Sequence, residues 1–220
     1  MKTQEELLEL HGEEYVESYG DHSMSRLSRL LPYIDFDSTY NVVDFACGNG
    51  MLMDLVAPLV NSYVGVDFSE PFIEAARVRQ QQLKIENAEF ACSDLIEFCR
   101  EHPQQFDAAF AMDLSQHVYD AQWLEILQSI RSSLKPQGRF YIHTPNEILK
   151  NKNIVLKQLP QHIAPRTPKQ CAALIKQAGF REVRVRLVSH YNVLRFLHPV
   201  SYVPLVGKYF KARIFIEALA

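Results

Sequence analysis

Short apolar runs alternate with longer amphipathic stretches along residues 40–146. The amphipathic stretches place their apolar residues three or four positions apart, which is typical of helices with one buried face. The apolar runs are followed by turn residues, which predicts buried strands. Strands that alternate with helices indicate a parallel sheet covered on both faces. The predicted strands are NVVDFA, SYVGVDF, AEFACSD, FDAAFAMD and LKPQGRFYIHTPN, and the helices between them are MLMDLVAPLV, EPFIEAARVRQQQLK, LIEFCRE and AQWLEILQSIRSSL.

The segments on either side follow other patterns. Residues 3–33 place leucine, valine and tyrosine at near-helical spacing, which predicts two or three short helices. Residues 147–167 form a connection, and Thr167 is the predicted N-cap of a helix over TPKQCAALIKQAGF. The last two strands, REVRVRLVSH and KARIFIEALA, are expected to pair as a hairpin that closes the edge of the sheet.

The composition is that of one soluble globular domain. The chain has 220 residues, of which 47% are hydrophobic and 22% are charged, enough for a sizeable core. No run of about 18 uncharged apolar residues occurs, so no transmembrane helix is expected. The acidic N-terminus lacks the apolar stretch of a signal peptide, and the four cysteines form no CxxC pair. A reducing, cytoplasmic compartment is therefore predicted.

The formal net charge of −3 conceals a strong asymmetry. Residues 1–149 carry 10 Lys and Arg against 24 Asp and Glu, whereas residues 150–220 carry 13 against 2. Such an asymmetry indicates an anionic partner or surface for the basic part. The alternative is a solvated face whose charges pair among themselves, as the neighbours Glu182 and Arg184 on one predicted strand face would do.

Acidic residues and glycines collect near the ends of the first three predicted strands. The first strand runs into the segment DFACGNG at residues 44–50, where glycines let the backbone approach a ligand. Asp67 ends the second strand, 17 residues after Gly50, where an acid can bind both hydroxyls of a ribose. Asp94 ends the third, where a carboxylate can accept a hydrogen bond from an adenine amino group. Because ligands bind at the carboxyl ends of parallel strands, this pattern predicts a nucleoside site.

In combination, these residues resemble the class I S-adenosylmethionine (SAM)-dependent methyltransferases over about residues 40–146. The segments DFACGNG, GVDFSEPFIEAAR, SDL, FDAAFAMDLSQHV and LKPQGRFYI look like the successive motifs of this family. The resemblance implies an α/β fold: a Rossmann-like, seven-stranded, mostly parallel sheet with an antiparallel last strand, helices on both faces and a helical N-terminal lid. It also implies SAM as the cofactor and S-adenosylhomocysteine as the product.

The same resemblance assigns roles to individual residues. Asp44 would lie near the methionine ammonium, and the loop with Ala46, Gly48 and Gly50 would surround the amino-acid part of SAM. Ala46 stands where the first glycine of the family motif is usual, and alanine is tolerated there if φ is negative. The other implied cofactor-binding residues are Tyr19 of the lid, Asp67 for the ribose, Phe68 for the adenine face, Ser93, Asp94 and Leu95 for the adenine edge, and Met112 beside the methyl donor.

Two other interpretations of the glycine loop are open. A nicotinamide dinucleotide needs a GxGxxG loop to hold its pyrophosphate, whereas residues 46–50 have the pattern AxGxG. SAM has no pyrophosphate, so the missing third glycine is no loss. A plain turn would explain GNG, but turn chemistry alone does not explain the three acids at successive strand ends.

The acceptor side is predicted just after the fourth and fifth strands. His117 follows the fourth strand and is the candidate catalytic base, since imidazole titrates near neutrality; the alternative is that His117 packs under the cofactor or orients a loop. His143, Thr144 and Asn146 end the fifth strand, where they either line the acceptor pocket or satisfy the backbone of a turn. The histidines show no metal-ligand spacing, so no metal is expected.

The sequence thus predicts one methyltransferase domain over residues 1–220, with a helical lid at 1–35, a SAM-binding core at 40–146 and acceptor-side segments with the closing strands at 147–220. We expect a monomer or homodimer that methylates an oxygen of a small-molecule, lipid-linked or glycan-linked acceptor, with an anionic acceptor favoured by the basic part. The alternatives are N-methylation of a small molecule, RNA methylation and a non-catalytic SAM-binding partner protein. The acidic first two-thirds argues against nucleic acid. The loop VLRFLHPVSYVPLVGKYF indicates either peripheral contact with an anionic membrane surface or a buried connection.

Overall fold

A single mixed sheet forms the centre of the molecule. The structure is a computed structural model that describes residues 25–146, 162–188 and 213–220. The strand order is β3-β2-β1-β4-β5-β7-β6, in which β7 is antiparallel to both of its neighbours and the pairs among β1–β5 are parallel. This order confirms the predicted seven-stranded, mostly parallel sheet. The strands are β1 Asn41–Phe45, β2 Ser62–Asp67, β3 Ala88–Cys92, β4 Phe106–Met112, β5 Leu134–Pro145, β6 Arg181–Val188 and β7 Arg213–Leu219.

The helices occupy the predicted amphipathic stretches. Helix α6 begins with a capping box: the Thr167 Oγ1 accepts a hydrogen bond from the Gln170 N–H, and the Gln170 side chain accepts one from the Thr167 N–H. In the stretch MLMDLVAPLV, the α-helix ends at Val56 and a 3₁₀ turn over Ala57–Leu59 follows, with Pro58 near its start. The helices are α1 Ser25–Ser28, α2 Met53–Val56, α3 Glu70–Leu83, α4 Leu95–Glu101, α5 Asp120–Ser133 and α6 Pro168–Gln177.

Alternate residues of the strands face two separate apolar layers. One layer is formed by α4, α5 and α6, whose buried side chains include Trp123, Leu127 and Ile175. The other layer is formed by residues 51–60 and by Leu27, Leu30 and Ile34 of the N-terminal part. Consecutive residues of one strand belong to different layers, as Val42 and Val43 of β1 do, because successive side chains of a strand point to opposite faces.

The edge strand β6 differs from the predicted half-exposed strand. Val185 and Leu187 are each 36% exposed, and the arginines on the other face are exposed as well. Of the predicted apolar face, Val183 packs against the core layer. Strand β6 is an edge strand with β7 as its neighbour, and α6 lies against it; the other partly buried residue of β6 is Val188 at its end, which packs against the layer with Leu27.

The end of the predicted lid lies against the sheet. The Asp35 N–H donates a hydrogen bond to the Tyr141 hydroxyl of β5 at 3.0 Å, and the Asp35 carboxylate pairs with Arg139 at 3.0 Å. The Tyr33 ring lies 6.0 Å from the Phe215 ring of β7, centroid to centroid. Residues 1–24 of the lid, and Tyr19 with them, lie outside the described residues.

Among the described residues, no helix combines the length and apolar character that crossing a membrane requires.

Candidate functional site

The loop after β1 turns at three residues of positive φ. Ala46, Gly48 and Gly50 have φ values of 56°, 53° and 73°. Glycine adopts this left-handed region readily, whereas an alanine there costs roughly 1–2 kcal/mol. The condition under which alanine is readily tolerated, a negative φ, is therefore not met at Ala46. A Cβ on Gly50 would lie 3.2 Å from the Ala76 Cβ and from the Phe90 ring, a tight contact that adds to the preference for glycine at this position.

Asp67 holds the loop from the end of β2. Its Oδ2 accepts a hydrogen bond from the Gly48 N–H and its Oδ1 accepts one from the Ser69 N–H, both at 3.0 Å. Asp67 is buried, so backbone donors fix its orientation at the carboxyl edge of the sheet. A carboxylate can accept about four hydrogen bonds. Asp67 is thus able to receive ribose hydroxyls in addition to these donors.

Asp44 is a buried acid within β1, with 2% of its surface exposed. Its Oδ2 accepts a hydrogen bond from the Tyr63 hydroxyl at 2.7 Å. Burial raises the pKa of Asp44 to about 7, with the negative charge of Asp67 adding to the rise and the Tyr63 hydrogen bond opposing it. The carboxyl group is therefore poised near neutral pH, where a bound cation would favour its ionised form. Tyr63 was not predicted; the available signal is that a tyrosine in a buried strand needs a partner for its hydroxyl.

Two buried oxygens beside the loop have no hydrogen-bond partner among the described residues. They are Asp44 Oδ1 and Asn49 Oδ1. Buried polar atoms in folded proteins nearly always have a partner, so these acceptors mark a place for a polar ligand. A pair of acceptors, one of them on an acid, suits an ammonium group such as that of the methionine part of SAM. The site therefore fits the cofactor that the sequence predicts.

The neighbouring strand ends hold the residues predicted for the adenosine part. Phe68 follows β2 and its ring is 44% exposed, which leaves a face on which a base can stack. Asp94 follows β3, and its Oδ1 accepts hydrogen bonds from two backbone N–H groups of α4 at 2.9 and 3.1 Å. Asp94 is thus a helix cap, a role the sequence analysis did not assign. Ser93 precedes it, and Leu95 is the first residue of α4.

A charged cluster lies where β4 and β5 end and β7 begins. Asp113 follows Met112 with a φ of 64°, a strained value for a residue other than glycine. Its Oδ1 lies 3.2 Å from His143 Nδ1 and 3.0 Å from Arg213 Nη1. All three side chains are almost fully buried. The sequence analysis placed His143 here but not Asp113 or Arg213, because Arg213 is separated from Asp113 by 100 residues.

The turn after β4 brings two histidines together. His117 ends a 3₁₀ turn at Ser115–His117, and its ring centroid lies 5.1 Å from that of His162 in an edge-to-face arrangement. Thr144 of β5 supports the turn, since its Oγ1 accepts a hydrogen bond from the Ser115 Oγ at 2.8 Å. His162 was not predicted as a site residue. The 45 positions between it and His117 hide the contact from a sequence pattern.

The described arginines of the basic part have partners within the chain. Arg184 pairs with Glu182 and with Glu217. This agrees with the interpretation of the β6 face as self-paired. The other contacts are Arg166 with Asp120, Arg181 with the Ala220 carbonyl, Arg186 with the Tyr33 ring and Arg213 with Asp113. Lys150, Lys152, Lys157, Arg195, Lys208 and Lys211, with the loop predicted to contact a membrane, lie outside the described residues.

Among residues 25–146, 162–188 and 213–220, no group of three or more His, Cys, Asp or Glu side chains is arranged to hold a metal ion.

Known proteins share both the sequence pattern and the fold. A family model described as a methyltransferase domain matches residues 36–187. The ubiquinone biosynthesis O-methyltransferase of Coxiella burnetii is 32% identical over 123 residues, which cover 54% of this chain and 51% of the relative. The chain thus spans about half the length of this curated relative.

Solved structures of methyltransferases have the same architecture. A SAM-dependent methyltransferase from Archaeoglobus fulgidus superimposes with a TM-score of 0.67 and 21% identity, covering 90% of this chain and 92% of that one. Phosphoethanolamine N-methyltransferase 2 of Haemonchus contortus, solved with SAM, superimposes with a TM-score of 0.63 and 17% identity, covering 89% of this chain and 52% of that one. At these sequence identities, the two structures show that the fold is shared.

Proposed function

Because the chain belongs to the methyltransferase domain family, we propose that it is a SAM-dependent methyltransferase that acts on an oxygen of a small-molecule, lipid-linked or glycan-linked acceptor. The observation that carries the proposal is the convergence at one sheet edge of a left-handed glycine loop, an acid held by that loop and two buried, unpartnered oxygens. The curated relative named above supports oxygen as the methylated atom.

The residues around the loop would hold the cofactor. Asp44 and Asn49 would receive the methionine ammonium, and Asp67 would receive the ribose hydroxyls. Phe68 would cover a face of the adenine. Ser93, Asp94, Leu95 and Met112 keep the adenine-edge and methyl-donor roles proposed for them, and Tyr19 that of a lid contact. When bound, SAM supplies a methyl group on a positively charged sulfur, which an oxygen or nitrogen nucleophile can attack directly.

The chain's own contribution is to hold the acceptor and to take up its proton. Positioning a nucleophile within attack distance supplies much of the rate of such a transfer. A hydroxyl acceptor also loses a proton, and a base placed within hydrogen-bond reach speeds this loss by typically 10²–10⁴-fold. His117 is proposed as that base, because it ends the 3₁₀ turn that follows β4, and Ser115 of the same turn donates a hydrogen bond to Thr144 of β5.

The proposal is tested by separating cofactor binding from methyl transfer. Calorimetry with SAM should give a measurable dissociation constant that Asp67→Ala weakens by 100-fold or more, an order of magnitude expected from the loss of charge-assisted hydrogen bonds. Methyl transfer is then followed with catechol and a prenylated catechol as hydroxyl acceptors and with ethanolamine as an amine acceptor. Phenols are chosen because their reference pKa of about 10 lies within reach of an imidazole base.

A matched pair of histidine variants tests the base. His117→Gln should lower kcat for the hydroxyl acceptors by about 100-fold or more while SAM affinity stays within about twofold. His102→Gln is the control, because His102 stacks on Phe98 at the end of α4, and it should leave kcat unchanged. Transfer to ethanolamine alone would replace the O-methylation proposal by N-methylation. Binding of SAM without turnover on any acceptor would favour the non-catalytic alternative.

A further inference from the structure

The buried guanidinium of Arg166 donates hydrogen bonds to three residues of the segment 115–120, which follows β4. The Arg166 side chain is 3% exposed. Its Nη1 donates a hydrogen bond to the Ser115 carbonyl, its Nη2 donates to the Val118 carbonyl at 2.8 Å, and its Nε donates to Asp120 Oδ1 at 2.8 Å. These acceptors lie at the start, middle and end of the segment 115–120. One side chain therefore fixes the course of the whole segment.

This arrangement is poorly explained by stability alone. Burying a guanidinium carries a desolvation cost that an ion pair often fails to recover, and the partner acid, Asp120, has a side chain that is 65% exposed. What the contact does provide is geometry, because the guanidinium is planar and presents its donors in a fixed fork. A lysine could supply the charge of Arg166 but not three donors aimed at separate acceptors.

The segment that carries Arg166 also lies along the turn. The Ala164 N–H donates a hydrogen bond to the Gln116 carbonyl at 3.1 Å. Residue 166 forms a parallel bridge with Asn146, just beyond the end of β5. As a result, the His162 ring meets the His117 ring edge to face at 5.1 Å. The main-chain bond of Ala164 and the guanidinium bonds of Arg166 reach residues on both sides of His117 and hold the segment that carries His162 next to it.

The opposite side of the turn is held by β4 and β5. The Gln116 Nε2 donates to the Asp113 carbonyl, and the Gln116 Oε1 accepts a hydrogen bond from the Thr144 hydroxyl at 3.1 Å. His117 is therefore fixed between the strand ends on one side and the segment 162–166 on the other. His117 itself is only partly buried, so part of its surface faces solvent.

We propose that Arg166 is a positioning residue that holds His117 and His162 as a pair of imidazoles on the acceptor side of the site. The pair has a chemical consequence, because a positive charge on one ring disfavours a second on its neighbour. When one imidazole is protonated, its neighbour is therefore favoured in the neutral form that can accept a hydroxyl proton, and the protonated ring can donate a hydrogen bond to the acceptor. The proposed role of the histidine pair rests on the proposed O-methyl transfer. The contact between the two rings does not depend on that proposal.

Histidine-labelled protein allows the pair to be observed by NMR without any acceptor or cofactor. In the wild type, cross-relaxation between ring protons of His117 and His162 is expected. His162→Gln should raise the pKa of His117 by roughly half a unit, the effect of removing a like charge about 5 Å away in an aqueous environment. Arg166→Met should abolish the cross-relaxation. In a protein that already carries Arg166→Met, His162→Gln should change the pKa of His117 by less than about 0.2 unit, because the two rings are no longer close. The charged groups nearest in the network, Asp113, His143, Arg213 and Asp120, are unchanged in these variants.

Matched variants separate positioning from folding. Arg181→Met removes an arginine that bonds to the Ala220 carbonyl and should leave the histidine pair intact. Asp120→Asn keeps an oxygen acceptor for Arg166 and should also preserve the pair. Arg166→Lys should fold, retain SAM affinity within about twofold and still lose the cross-relaxation, because a single ammonium cannot reach all three acceptors.

Persistence of the histidine contact in a folded Arg166→Lys or Arg166→Met protein would overturn the proposal. So would an Asp120→Asn or Arg181→Met protein that loses the contact as fully as Arg166→Lys, since the effect would then not be specific to the guanidinium fork. Failure of the wild type to bind SAM would instead refute the proposed function and leave the pairing result standing. If the pairing holds and catechol is methylated, Arg166→Lys should lower kcat more than it raises KM.

Discussion

At the scale of single residues, the site contains two energetically unfavourable features, a buried acid and a left-handed alanine. Asp44 is an acid held almost completely out of water, and Ala46 has a backbone conformation that suits glycine. Strain and buried charge of this kind gather at functional sites, where the surrounding structure over-determines them. Asp44 lies in β1, two positions before Ala46, which begins the loop that is proposed to surround the methionine part of SAM. Each feature gives rise to a measurable prediction.

Affinity for SAM should depend on pH through Asp44. With its pKa raised to about 7 by burial, the carboxyl group is mostly protonated at pH 6 and mostly ionised at pH 8. If the ionised form binds the ammonium, affinity should rise about tenfold between these pH values. Calorimetry from pH 6 to pH 8 measures this, and Asp44→Asn should bind more weakly and flatten the profile. An unchanged slope in Asp44→Asn would assign the pH dependence to another group.

The same acid should make the ligand-free protein less stable as pH rises. The folded-state pKa of about 7 lies above the unfolded value of about 3.9, so the folded state holds the proton over this interval. The contribution of Asp44 to stability is therefore lost as pH rises through its folded pKa. Urea unfolding of the wild type and Asp44→Asn at several pH values should show a smaller decrease in the variant.

Replacing Ala46 by glycine should stabilise the protein. The substitution removes the left-handed strain, and the greater freedom of glycine in the unfolded chain offsets part of this gain. The expected net increase in the free energy of unfolding is about 1 kcal/mol, measured by urea denaturation. The control is Ala173→Gly, at an exposed position of helix α6, which should destabilise by about 1 kcal/mol. Equal losses in both variants would mean that Ala46 carries no strain.

At the scale of elements, strand ends and helix starts place the site residues. Strands β1 to β4 are parallel and adjacent, so Asp44, Asp67 and Asp113 reach one edge of the sheet from three different strands. The antiparallel β7 begins at that same edge, which is why Arg213, its first residue, can meet Asp113. Helix α6 begins at Pro168, and its N-cap Thr167 directly follows Arg166, so the capped start of this helix helps to position Arg166.

The capping box of α6 should contribute measurably to the free energy of unfolding. Thr167→Ala removes the hydroxyl that accepts the Gln170 N–H and should cost about 1 kcal/mol of unfolding free energy. Thr167→Ser keeps the hydroxyl and should stay within a few tenths of a kcal/mol of the wild type. Urea denaturation distinguishes the two. Identical stabilities for the alanine and serine variants would show that the cap does not contribute.

At the scale of the whole molecule, one sheet carries both apolar layers. Each strand from β1 to β5 that supplies residues to one layer supplies the alternate residues to the other, as Phe140 and Tyr141 of β5 do. Loss of either layer would therefore expose the remaining face of the same strands. The described part of the chain has the organisation of one cooperative unit, in keeping with the proposal of a single domain.

Unfolding should accordingly be a single transition. Trp123 is the one tryptophan in the chain and is 1% exposed in the layer formed by α4, α5 and α6. Its fluorescence and the far-ultraviolet circular dichroism should change at the same urea concentration. SAM at about 100 times its dissociation constant should increase the free energy of unfolding obtained from both signals by about 2.7 kcal/mol. Two separate midpoints would divide the chain into independent units.

The sequence by itself determined the alternation of strands and helices, the position of the glycine loop and the acids at the first three strand ends. These features are local, because hydrophobic period, turn chemistry and motif spacing are all written in neighbouring residues. The tertiary structure alone decided the contacts of Arg213 with Asp113, His162 with His117 and Arg166 with the turn after β4. Each of these joins positions tens of residues apart, and such contacts depend on strand order and on the path of loops, which no local pattern encodes.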